Sequence, residues 1–138
     1  MLASFSRRGT FVAMALVAAS ILAPTPASAD CYVGSCYGAI AAGIKEGGWS
    51  GGSTVGIGSA LNYSYGLDAG EAAILQCISA GGGHCTVVGT FMGCGYITQG
   101  VRGSRVGWGS GSTPQEAYNQ CLKQEVDCDT PIGGCNSN

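Results

Sequence analysis

The chain has 138 residues, with six Lys or Arg, eight Asp or Glu and one His for a net charge of −2, and it contains 25 glycines and eight cysteines. So sparse and mildly acidic a charge set offers no basic track for a phosphate backbone, which excludes nucleic acid as a partner. The length allows one domain, and no apolar run reaches the roughly 20 residues that a membrane-crossing helix needs.

Residues 1–29 read as a cleaved secretory signal peptide. Arg7 and Arg8 precede FVAMALVAASIL (11–22), and Ala27-Ser28-Ala29 supplies the small residues of a cleavage site. Removing 29 residues leaves 30–138 as a single exported domain, extracellular or periplasmic, in which Lys45, Arg102, Arg105 and Lys123 face eight carboxylates. All eight cysteines lie in this part. An even number in a short exported chain argues for disulfides, and the absence of a Cys-x-x-Cys pair argues against zinc.

Short runs rich in Val, Ile, Thr and aromatics, broken by glycine, predict strands over 37–42, 60–65, 86–92, 95–99 and 105–109. Between the first two lies GGWSGGSTVGIGS (47–59), which reads as a glycine-rich insertion carrying Trp49. A helix is expected over 69–80, opened by a capping box of Asp68 and Glu71, with Ile74, Leu75 and Ile78 as its apolar face. GWGSGSTPQEA (107–117) looks at first like a phosphate loop. It lacks the lysine such a loop requires, and Thr113, Pro114 and Glu116 instead form the capping box of a second helix over 114–126. That helix offers Ala117, Tyr118, Cys121, Leu122 and Val126 as its apolar face. VGIGSAL (55–61) lacks the third glycine and the acidic partner of a dinucleotide fingerprint, so no cofactor is expected.

NYSYGLDAGEA (62–72) aligns without a gap on GWGSGSTPQEA, and each segment runs on to a Gln-Cys pair, Gln76-Cys77 or Gln120-Cys121, and then to another cysteine. The chain therefore reads as two pseudo-repeats of strand, turn, strand and helix, about 36–92 and 94–135. The fold class is α+β, a small disulfide-stapled domain whose antiparallel sheet carries two helices on one face. The repeat suggests the pairs Cys77–Cys85 and Cys121–Cys128, completed by Cys94–Cys135 and Cys31–Cys36. This is one set among the 105 that eight cysteines allow.

CYGAIAAG, HCTVVGTFMGCGYIT and the two [D/T]-x-x-E-A helix starts resemble the exported bacterial proteins grouped as domain of unknown function 4189. The resemblance spans about 37–135 and implies export and a small repeated α+β domain, with no reaction and no catalytic residues. This chain departs from that pattern in its end, which lacks the terminal tryptophan, in the long 47–59 segment, and in Cys31, Cys36, Cys121 and Cys128.

The residues with chemistry have structural roles available. His84 precedes Cys85 in a glycine cluster, and neighbours on a strand point to opposite faces, which argues against a nucleophilic pair. Glu71 and Glu116 form the obvious glycosidase pair, yet both are accounted for as caps. Glu46, Glu125, Asp127 and Asp129 fall near turns, and the Asp127–Thr130 run lacks the oxygen spacing of a calcium loop, so no metal is expected. No serine stands in a nucleophile elbow. The aromatics Trp49, Tyr63, Tyr65 and Trp108 lie among glycines and are the candidate binding residues. The leading expectation is a non-enzymatic binding or effector module contacting an envelope component or another cell's protein. An inhibitor of an exported hydrolase, and a small hydrolase using Glu46, Glu71 and Glu116, are the alternatives.

Overall fold

The computed structural model describes residues 31, 35–49 and 51–137. The expected signal peptide and its cleavage point lie outside the described residues. The chain runs β1 (Tyr37–Lys45), β2 (Thr54–Tyr63), α1 (Gly66–Ser79) and β3 (Thr86–Phe91), then β4 (Cys94–Arg102), β5 (Arg105–Gly111), α2 (Pro114–Leu122), β6 (Asp127–Cys128) and β7 (Ile132–Cys135). Each half is a hairpin, a helix and a strand that returns antiparallel to the first strand of its half.

The domain is α+β with antiparallel pairing throughout, and its strands divide into two sheets, ordered β2-β1-β3 and β5-β4-β6, with β7 also on β4. Alternation along β1 explains the division. Ala39 and Ala41 point to α1, whereas Ile40 and Ala42 join Ile57 and Ile97 in a core shared between the sheets. One sheet with both helices on one face would leave that isoleucine face in water. Stacking the second sheet on it buries it and sends the helices to opposite outer surfaces, giving the layer order α1, first sheet, second sheet, α2.

Each helix lies directly on strand backbone. A Cβ on Gly58 would stand 2.1 Å from the Ala73 carbonyl oxygen, and one on Gly109 would stand 2.1 Å from the Cys121 nitrogen. Only glycine permits this approach. The buried residues of α1 are accordingly small, namely Ala69, Gly70, Ala73 and Cys77, and those of α2 are Ala117 and Cys121.

This corrects four expectations. The apolar face assigned to α1 is not its buried face, because Leu75 and Ile78 are exposed. Segment 47–59 is only partly a loop, because from Thr54 onward it is β2, with Val55 and Ile57 buried. Its glycines point at α1 and its branched residues at the second sheet, so deleting it would remove a core strand. Asp68 and Glu71 do not form a capping box: the N-cap of α1 is Tyr65, which makes no side-chain cap, and Asp68 lies inside the first turn, where its charge suits the positive end of the helix. The second helix ends at Leu122 rather than 126, where the chain turns through Glu125 at φ 57 and then buries Val126.

The disulfides are Cys31–Cys36, Cys77–Cys85, Cys94–Cys135 and Cys121–Cys128. Despite the missing tryptophan, β7 forms, paired from Cys94↔Cys135 to Ile97↔Ile132. Beyond it, buried Asn136 accepts from the Asn62 N–H at 2.8 Å and donates through Nδ2 to the carbonyls of Phe91, Met92 and Gly93. The tail is thereby pinned to both halves.

Candidate functional site

The residues with chemistry are not gathered. Cys85 is bridged to Cys77, so it has no thiolate, and His84 is an exposed turn residue at φ 50. Glu71 lies on α1 and Glu116 on α2, the two outer layers, so two sheets separate them and they cannot flank one glycosidic bond. Glu46 follows β1 near His84, in an open depression that also includes Lys45 and Gly83.

Glu116 serves the cap. Thr113 Oγ1 accepts from the Glu116 N–H at 3.1 Å, while the Glu116 carboxylate accepts from Ser112, through its N–H at 2.8 Å and its hydroxyl at 2.7 Å. Those bonds favour the ionised form, the hydroxyl most, and hold the carboxyl below the ordinary glutamate range. The Arg102 guanidinium bonds Asp127 at 2.8 Å, which lowers the Asp127 carboxyl and raises Arg102. Arg105 pairs with Glu125 beside it. Both pairs are exposed and contribute little to stability. Asp127 is thus engaged, Asp129 is held through its backbone by Thr98 and Gln99, and no cluster of metal-ligating groups occurs among the described residues.

The four aromatics part company. Trp49 is fully exposed on the β1–β2 loop, beside a turn closed from the Gly51 N–H to the Gly48 carbonyl. Tyr65 is exposed at the start of α1. Tyr63 packs on the alanine core under α1, and Trp108 packs on the core between the sheets while one side reaches a cleft.

Sequence reasoning missed two surfaces. One is the outward face of α1, where Leu67, Leu75 and Ile78 are 84%, 65% and 54% exposed. Their spacing is the signal, but period alone does not tell the inward stripe from the outward one. The other is a cleft of about 440 Å³ along β5, lined by Ile44, Trp108, Ser110, Gln120 and Gln124 among others.

Among the described residues no helix is long and apolar enough to cross a membrane. The model of a domain of unknown function, DUF4189, matches residues 37–135. No curated protein and no solved structure matches the chain.

Proposed function

The chain belongs to the family of the domain of unknown function DUF4189, and from that premise we propose that it is an exported, disulfide-bonded module that acts by contact rather than by catalysis. One observation carries the reading: large apolar side chains stand in water, Trp49 on the β1–β2 loop and Leu67, Leu75 and Ile78 along α1. A Thr54 hydroxyl bonded to the Gly81 carbonyl sets the base of that loop against the C-terminal end of α1, so the Ile78 end of the stripe and the loop lie at the same end of the molecule. Exposed apolar patches of this kind mark contact surfaces, since leaving them wet forgoes their burial. The second helix carries no such stripe: its outward positions include Gln115, Asn119 and Gln120, and Leu122 at its end is its one exposed large apolar side chain. Four disulfides suit an oxidising compartment, an envelope space or the exterior. The partner is an envelope component or a protein of another cell.

The test is photocrosslinking in the cells that export the chain. A photoreactive phenylalanine analogue at position 49 or 75 is expected to give a discrete ultraviolet-dependent adduct, and the same analogue at Asn119 none. A double change of Leu75→Ser and Ile78→Ser is expected to weaken the adduct at position 49 without lowering the melting temperature. No adduct at either position would overturn the reading. An adduct with an exported hydrolase would make the contact inhibitory.

A further inference from the structure

The two halves use corresponding residues at their outer strands, yet finish the outer edge differently. Gly58 lies under Ala73 and Cys77 of α1, and Gly109 lies under Ala117 and Cys121 of α2. β5 therefore corresponds to β2, Ser110 to Ser59, and Gln120 to Gln76. In the first half the chain covers this position of its edge itself: the Ser59 N–H donates to Gln76 Oε1 at 3.1 Å, and Val55 and Ile57 are buried. In the second half Gln120 Oε1 accepts from Lys123 Nζ instead, and Val106, Trp108 and Ser110 are only partly buried.

The backbone of β5 is open at the same place. Its turn of Gly103 and Ser104 makes Arg102 and Arg105 a hydrogen-bonded pair. Alternation then directs the N–H and C=O groups of Gly107, Gly109 and Gly111 to β4, and those of Val106, Trp108 and Ser110 outward. No strand pairs with that side of β5 among the described residues. The outward groups face the cleft, which Gln120 of α2 and Gln124 just beyond that helix bound on one side and Ile44 of β1 on the other.

We propose that this edge takes up an extended peptide segment of a partner protein as an added strand of the second sheet. Backbone bonding supplies the attachment, and the walls select the side chains. Alternate residues of the peptide meet Ile44 and Trp108, which favour apolar groups, while the residues between them meet the amides of Gln120 and Gln124. No charged side chain lines the cleft, so a neutral segment of alternating apolar and polar residues fits it. A second copy of this chain fits less well, because its own β5 would bring the same raised walls against these. This surface is distinct from the one around Trp49 and α1.

Random peptides displayed on phage, panned against the oxidised chain, supply the probe, and the selected sequence is then made as a free peptide. The expected selection is neutral and alternating, and its binding is expected to slow amide exchange at Val106, Trp108 and Ser110. Ser110→Pro removes an outward N–H without removing a bond to β4, and is expected to weaken binding about tenfold or more at an unchanged melting temperature. Gln120→Ala, which leaves the strand untouched, is expected to weaken it less. No enriched sequence, protection at other amides, or equal binding to Ser110→Pro would overturn the proposal. So would a dimer of the free chain that Ser110→Pro dissociates, since the occupant would then be a second copy. The adduct at position 49 is expected to survive Ser110→Pro, so the contact reading and this one fail separately.

Discussion

Glu116 shows how a residue with catalytic credentials is committed to structure. Its carboxylate takes both bonds that Ser112 offers, while Thr113 caps its own N–H. Because the folded carboxyl is lowered from its ordinary 4.5, the stabilisation is complete above that value and is lost as pH falls through the lower folded one. Glu116→Gln keeps an acceptor but cannot titrate. The excess melting temperature of the native chain over this variant is therefore expected to be full at pH 7, to shrink below about pH 4.5, and to vanish at lower pH. A constant difference across that range would show that the charge plays no part. This cap was legible because its partners lie within four residues of one another. The Asn136 clamp was not, since its partners lie 43 to 74 residues away and asparagine near a chain end carries no pattern.

Among the elements, β2 and the buried face of α1 depart from expectation for one reason. In TVGIGSA, glycine alternates with branched residues, which is a strand pattern whose helix-facing side has been reduced to backbone. Glycine normally signals a break, so that period went unheeded. The same glycines decide which face of α1 turns inward: bare backbone accepts Ala69, Ala73 and Cys77 but has no room for Ile78. Hydrophobicity ranks the larger residues first, whereas close approach selects the smaller. It follows that Gly58→Ala is expected to cost about 2 kcal/mol or more, because the new methyl would meet the Ala73 carbonyl. Gly48→Ala, with nothing within 4 Å, is expected to change stability by less than about 0.5 kcal/mol. Urea midpoints at constant slope check both. Equal costs would mean that α1 can lift from β2 without penalty.

For the molecule as a whole, the strand, turn, strand and helix of each half were legible, and so were the cysteines that staple each helix to the segment after it, whereas the short β6 and β7 were not. The division into two sheets was not, because it depends on which faces of Ile40, Ile57 and Ile97 meet across the halves. The tail connects these levels. Cys135 is tied to Cys94 across 41 residues, and the next residue holds the end of β2 and the β3–β4 turn together. Opening a loop of that length is expected to cost about 4 kcal/mol on the chain-entropy argument, and losing Asn136 about 2 kcal/mol for the buried groups it leaves unpaired. These losses should not add. Without the bridge β7 can leave β4, and Asn136 then has no fixed position from which to bond. Asn136→Ala is therefore expected to be costly in the native chain and nearly silent once Cys94 and Cys135 are both serine, with urea unfolding of the four chains giving the coupling. Strict additivity would mean that the tail is held by its own hydrogen bonds and that the bridge acts only on the unfolded chain.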